Sequence, residues 1–124
     1  MDVYKTREFA RWARKQGLAD RQLCSAVAEI TNGLFEADLG GNLLKKRIAR
    51  PGRGKSGGFR TLVVTNRHDL WFFVYGFAKS ERSNISRDEE IALKKLAAAL
   101  LSMPYASRAR AIRGDELIEV NCDA

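Results

Sequence analysis

The chain has 124 residues, enough for one domain with one hydrophobic core, and its 45% hydrophobic and 30% charged residues are typical of a globular protein. Its apolar runs are shorter than the ~20 residues of a membrane-spanning helix, and charges interrupt residues 1–16, so we expect a cytoplasmic protein without a membrane segment or secretory signal. The net charge of +7 arises in residues 39–68, which hold eight of the 22 basic residues and none of the 15 acidic ones. A concentrated basic charge attracts polyanions, so a nucleic acid is the first expected partner.

Two amphipathic helices are predicted at the start of the chain. Apolar residues recur at helical spacing over residues 6–16, and Gly17 is a typical helix stop. A second helix is predicted from Asp20, a suitable N-cap, to Asn32-Gly33. We expect the two helices to pair as a hairpin.

Three strands are predicted next, at residues 42–49, 59–66 and 70–78, because these segments are rich in aliphatic and aromatic residues and are separated by turn residues. The third is apolar at nearly every position, which favours a central strand covered on both faces. The turn residues 66–69 predict a hairpin, so the strands should be antiparallel.

A third helix is predicted after the central strand. Ser86 and Glu89 match the capping box that opens a helix, and an apolar stripe follows and ends before Pro104. A short helical turn at residues 107–112 and a short strand at 116–120 complete the prediction. The predicted fold class is α+β, with an N-terminal helical hairpin packed on a small twisted antiparallel sheet and a further helix after the central strand.

The glycine-rich segment 50–58 connects two predicted strands. Its Gly-Lys-Ser resembles the end of a Walker A motif, but Ala49 stands where that motif requires glycine, and a strand follows instead of a helix. We therefore expect no nucleoside triphosphate site. A glycine-rich turn that presents Arg53 and Lys55 can track a phosphate backbone; the alternative is a merely solvated basic loop, which usually mixes both charge signs.

The residues available for catalysis are few. The single histidine, His68, lies in a predicted turn, and Cys24 and Cys122 are interpreted as a small core residue and an incidental tail residue, with neither disulfide nor metal-ligand spacing. The adjacent acids 88–90 are interpreted as favourable charges in the first turn of a helix. We expect no metal and no cofactor.

This inventory suits one reaction, the cleavage of RNA by its own 2′-hydroxyl. The substrate brings the nucleophile, and the protein must orient it, neutralise the developing phosphorane charge and move protons. Arginine and lysine can stabilise that charge, and a lysine crowded by other cations, as in residues 45–47, can serve as general base.

Two segments resemble a known family. LKKRIARPGRGKSGGFR at 44–60 and FVYGFAKSERSNI at 73–85 are similar to the RelE branch of the RelE/ParE superfamily, the toxins of bacterial type II toxin-antitoxin pairs. The resemblance covers about residues 4–101, and we interpret residues 1–124 as a single RelE-like toxin domain with a C-terminal extension at 102–124. It implies a ribosome-dependent endoribonuclease that cuts mRNA and inhibits translation. It also implies a cognate antitoxin, either a helix-turn-helix or an acidic protein.

The resemblance places catalytic basic residues on the concave side of the sheet. Residues 45–47 stand where the family has its strand lysines, and Arg60 matches the arginine of its Gly-Tyr-Arg motif. Ser80 and Ser86 replace an arginine and a tyrosine that such toxins carry. Either Arg82 and Lys55 supply the missing charge, or cleavage is weaker or differently arranged and Ser86 is simply the helix cap. The catalytic candidates are Lys45, Lys46, Arg47, Arg60 and Arg82, and the RNA-binding candidates are Arg50, Arg53, Lys55 and Lys79.

Alternatives stay open at this point. Arg82 could instead pair with Glu81 or with a backbone carbonyl near the third helix. The same fold also suits a ParE-like inhibitor of DNA gyrase, or a module that binds RNA or the ribosome without chemistry. The basic glycine-rich segment and residues 80–83 favour the nuclease.

Overall fold

The computed structural model describes residues 1–50 and 57–122. These residues form one six-stranded sheet with the strand order β2-β3-β4-β5-β1-β6. The elements are, in chain order, β1 Asp2–Thr6, α1 Arg7–Gln16, α2 Asp20–Thr31, β2 Ala37–Asp38, β3 Leu43–Ile48, β4 Phe59–Thr65, β5 Leu70–Ala78, α3 Arg87–Ser102, α4 Tyr105–Arg113 and β6 Leu117–Val120.

The predicted fold is wrong in the size and type of the sheet and in how the chain begins. The chain starts with β1, which precedes the two helices and pairs in parallel with β5, so that the sheet is mixed rather than antiparallel. β1 has only five residues, two of them charged, Asp2 and Lys5, which is too short for a strand periodicity to stand out. The register places Val3 of β1 opposite Trp71 of β5, which lies far along the chain, so no local pattern could predict the pairing.

The three middle strands and the three main helices are confirmed. β3, β4 and β5 are antiparallel neighbours, and the side chain of Asn66 accepts hydrogen bonds from the backbone N–H groups of His68 and Asp69 at 2.9 and 3.1 Å, which closes the predicted hairpin. Ser86 and Glu89 form the predicted capping box, with side-chain-to-backbone bonds of 3.1 and 2.7 Å. The cap of α3 was therefore predictable from four residues of sequence.

The core consists of two clusters, one on each face of the sheet. α1 and α2 cover the first face, where Phe9, Leu23 and Phe73 are buried. α3 covers the second face, where Leu62, Phe72 and Leu100 are buried. We call these the α1/α2 face and the α3 face. Because both faces are covered, the central strand β5 is apolar almost throughout, as predicted.

Several large aromatic side chains are buried in the core. Trp71, Phe72 and Phe73 are at most 1% exposed, and Phe59 is fully buried as well. Trp12 is half-buried and lies edge-on to Phe59 with ring centroids 5.2 Å apart.

The interpretation of the two cysteines is wrong. Cys24 of α2 and Cys122, which follows β6, form a disulfide with Cα atoms 5.5 Å apart across 98 residues of sequence. The two meet because β6 pairs antiparallel with β1, which brings the C-terminal segment to the edge of the sheet beside α2. No sequence spacing predicts that proximity.

None of the helices in the described part of the chain is long and apolar enough to cross a membrane.

Candidate nucleic-acid interface

Lys45 and Lys46, adjacent on β3, lie on opposite faces of the sheet. The ammonium of Lys45 is on the α3 face, 3.4 Å from the side-chain oxygen of Asn84 in the β5–α3 connection. Lys46 is on the α1/α2 face, where its nearly buried ammonium forms an ion pair of 2.7 Å with Glu29 of α2. The alternation was expected, but the crowding of cations inferred for residues 45–47 does not occur for these two lysines, since each lies beside a carboxylate.

Glu36 is an acidic residue at the centre of the basic surface, and the sequence reasoning missed it. Its carboxylate accepts from Nε of Arg60 at 2.9 and 3.1 Å and lies 3.7 Å from Nζ of Lys45. Glu36 directly precedes β2, and its backbone N–H donates to the carbonyl of Lys45 at 2.8 Å. The pairing of β2 with β3 therefore places Glu36 beside Lys45 and Arg60. A strand of two residues is too short to show a recognisable strand pattern in the sequence.

Arg82 is held in place by β5 and α3. Its terminal nitrogens donate to the two carboxylate oxygens of Glu89 at 2.5 and 3.1 Å, and one of them also donates to the Tyr75 hydroxyl at 3.0 Å. Its Nε donates to the backbone carbonyl of Asn84 at 3.0 Å, and its guanidinium lies 5.5 Å from the centre of the Phe77 ring. The predicted alternative of a carbonyl near the third helix is confirmed, but the acidic partner is Glu89 rather than Glu81.

This network perturbs three ionisable groups. The pKa of Glu89 is lowered to about 2 by the hydrogen bond that Glu89 accepts from Arg82 and, next, by the one it accepts from the backbone of Ser86. The same hydrogen bond raises the pKa of Arg82, while burial, reinforced by Glu89, raises the pKa of Tyr75. All three groups thus keep their usual charge states at neutral pH.

The two sets of contacts form one continuous surface. Asn84 links them, because its side chain lies beside Lys45 and its backbone carbonyl accepts from Arg82. Arg60 lies opposite Phe77 in the strand register, and the same ring lies beneath Arg82. We call this surface the basic site; its members are Glu36, Lys45, Arg60, Tyr75, Arg82 and Asn84.

The remaining predicted residues lie around the basic site or away from it. Arg47 lies opposite Arg60 in the register of β3 and β4. The guanidinium of Arg50 lies 5.7 Å from the Phe59 ring, and Lys79 donates to the carbonyl of Ser83 at 3.3 Å. Two RNA-binding candidates, Arg53 and Lys55, lie outside the described residues. His68 lies in the β4–β5 turn.

The arrangement suits phosphate binding. Nε of Arg60 is occupied by Glu36, whereas its terminal nitrogens have no hydrogen-bond partner within residues 1–50 and 57–122. Arginine N–H groups held in a fixed plane match the geometry of a phosphate. Within the same ranges, no group of three or more histidine, cysteine, aspartate or glutamate residues could hold a metal ion.

A family model described as the RelE toxin of the RelE / RelB toxin-antitoxin system matches residues 1–120. A comparison with curated proteins finds no match. The family match covers both segments on which the resemblance was based and confirms it. The chain, with its basic surface between β3, β4 and α3, belongs to the RelE toxin family of toxin-antitoxin systems.

Proposed function

We propose that this toxin is an endoribonuclease that cleaves mRNA on the ribosome and so inhibits translation. One observation supports it above others: Arg60, whose terminal nitrogens have no hydrogen-bond partner among the described residues, shares the Glu36 carboxylate with the Lys45 ammonium on one face of the sheet. Family membership implies an antitoxin partner. We propose that this antitoxin is a helix-turn-helix or acidic protein, since an acidic surface would complement the basic site.

The reaction begins with attack of the RNA 2′-hydroxyl oxygen on the adjacent phosphorus. The 5′-oxygen then leaves, giving a 2′,3′-cyclic phosphate and a new 5′-hydroxyl end. The attacking hydroxyl loses a proton, the leaving oxygen gains one, and the phosphorane between them carries extra negative charge. Fixed cations are most effective at that charge, because they need no rearrangement as it develops.

We assign the charge-stabilising role to Arg60 and Lys45. Arg60 would bind the non-bridging oxygens of the phosphate. The Lys45 ammonium lies 3.7 Å from the Glu36 carboxylate that also holds Arg60, so it would bind the same phosphate. Arg82 would position the β5–α3 connection, because each of its guanidinium nitrogens already has a protein partner. Lys46 would stabilise the fold through Glu29 instead of acting on RNA.

The basic residues around the site would hold the neighbouring phosphates. Such contacts fix the register of the RNA without reading its bases. The proposed set is Arg47, Arg50, Arg53, Lys55 and Lys79.

A second function is favoured by one observation. Each of the three guanidinium nitrogens of Arg82 already donates to Glu89, Tyr75 or Asn84, and Ser80 and Ser86 stand where the resemblance implies an arginine and a tyrosine. A surface with fewer reactive groups would suit a toxin that binds RNA on the ribosome and blocks it without cutting.

The test maps mRNA 5′ ends in a bacterial translation system that contains the wild-type toxin, Arg60→Ala or Arg67→Ala. Arg67 is a matched control because it lies in the β4–β5 turn, is exposed, and pairs with Asp38 at 2.8 Å. We expect codon-phased cuts with the wild-type and Arg67→Ala proteins, and a loss of about a hundredfold or more with Arg60→Ala.

Other outcomes would replace the proposal. Arrested translation with intact mRNA would identify a binder without chemistry. Intact mRNA with blocked DNA supercoiling by gyrase would identify a ParE-like inhibitor.

A further inference from the structure

We propose that Glu36 is a positioning residue of the basic site, which holds the Arg60 guanidinium so that its terminal nitrogens face the RNA phosphate. The inference rests on the proposed function for its catalytic consequence. Its structural basis is independent of that function, because it concerns a contact present without RNA.

Glu36 places a negative charge within a surface proposed to bind phosphate. Within residues 1–50 and 57–122, Glu36 is the only carboxylate within ion-pair distance of Arg60 or Lys45. A carboxylate beside a phosphate-binding surface repels the ligand, which weakens binding unless it contributes something else. Glu36 is exposed, yet its carboxylate is held by Nε of Arg60 rather than left to solvent alone.

The orientation of the contact indicates what it contributes. Arginine and carboxylate commonly pair as a fork, with two guanidinium nitrogens on two oxygens. Here both oxygens of Glu36 accept from Nε of Arg60 alone, at 2.9 and 3.1 Å. The edge with the terminal nitrogens, which carries four of the five N–H donors, stays available in the described structure for a ligand.

The backbone of each residue in this contact is held by the sheet. Arg60 lies within β4, paired with Arg47 of β3, and its side chain is only 12% exposed. Glu36 is anchored by its backbone N–H on the carbonyl of Lys45.

The first test compares Glu36→Gln with Glu36→Ala in the mRNA cleavage reaction. The amide oxygen of glutamine can still accept from Nε, so we expect Glu36→Gln to keep kcat within about tenfold of wild type, below the cost of losing a general base. Alanine frees the guanidinium, and we expect kcat to fall by about a hundredfold, as for a misplaced catalytic group. Asp38→Ala, which removes a carboxylate from neighbouring β2, is the matched control and should cleave normally.

The pH profile separates positioning from proton transfer. If Glu36→Gln is as inactive as Glu36→Ala and loses the acidic limb of the kcat profile, Glu36 is a proton acceptor and the proposal is overturned. It is equally overturned if both variants cleave at the wild-type rate.

A second measurement does not depend on cleavage. In ¹⁵N-arginine-labelled toxin, assigned with Arg60→Lys, the Nε–H signal of Arg60 should exchange slowly in wild type and Glu36→Gln and rapidly in Glu36→Ala. If the wild-type toxin does not cut mRNA but this pattern is found, the proposed function fails while the positioning contact stands. An Nε–H signal unchanged in Glu36→Ala would overturn the contact itself.

Discussion

At the scale of single residues, the face on which a side chain lies decides what it can do. Lys45 and Lys46 are chemically identical neighbours, and strand geometry sends one to the basic site and the other to Glu29. A sequence pattern predicts the alternation but treats the two lysines alike. Only the packing of α2 on one face and α3 on the other distinguishes them.

This difference gives a direct prediction. Lys45→Met should reduce mRNA cleavage by about a hundredfold with little change in stability, because it removes a cation from the phosphate site. Lys46→Met should cleave like wild type but lower the free energy of unfolding, because it leaves Glu29 without its ion pair. Cleavage assays and urea denaturation on both variants check this; equal loss of cleavage in the two would contradict it.

Gly76 is required by a close approach between α1 and β5. A Cβ atom at this position would lie 2.3 Å from ring atom Cζ3 of Trp12, closer than atoms can approach. We expect Gly76→Ala to destabilise the protein by about 1–3 kcal/mol, as overpacking does, measured by urea denaturation.

The control for this change is Gly114→Ala. A Cβ there meets the Arg110 carbonyl oxygen at 3.4 Å and the backbone φ is −89°, which any residue adopts. Its effect should be clearly smaller. Similar losses in the two variants would show that Trp12 can move aside.

At the scale of elements, Glu89 joins α3 to β5. It caps the helix through Ser86 and at the same time holds Arg82 and the Tyr75 hydroxyl. The capping role follows from the spacing of Ser86 and Glu89, since a helix start involves only neighbouring residues. The second role requires β5 and α3 to meet.

The lowered pKa of Glu89 gives a pH prediction. The pKa of about 2 lies below the ordinary value of 4.5, so the charged form stabilises the fold fully above about pH 4.5. That stabilisation should be lost as the pH falls from 4.5 through 2. Glu89→Gln should therefore be less stable than wild type at pH 6, and the difference should shrink toward pH 2.

Urea denaturation between pH 2 and pH 6 measures this difference. Glu81→Gln is the control, because Glu81 adjoins Arg82 in sequence but makes no ion pair with it in the described structure. A gap between Glu89→Gln and wild type that stays constant with pH would contradict the prediction.

At the scale of the whole molecule, the sheet order joins the two ends of the chain. β1 lies between β5 and β6, so the first and last strands are neighbours. The Cys24–Cys122 disulfide links the segment after β6 to α2. Such bonds persist mainly in oxidising compartments. The cytoplasmic location expected from the sequence stays a prediction.

The disulfide should contribute measurably to stability. Because it closes a long loop, Cys122→Ser should lower the free energy of unfolding by about 2–4 kcal/mol in non-reducing urea denaturation. Reductant should bring the wild-type protein to the same value and leave Cys122→Ser unchanged. A wild-type protein whose stability does not respond to reductant would contradict this prediction.

The sequence by itself determined the middle strands, the main helices with the α3 cap, the localised charge and the family. Each of these depends on residues close together in the chain, or on a motif read as a string. The tertiary structure alone decided the parallel pairing of β1, the disulfide, and the contact of Glu36 with Arg60. These join residues far apart in sequence, and a contact of that kind exists only after β1, β2 and β6 have taken their places in the sheet.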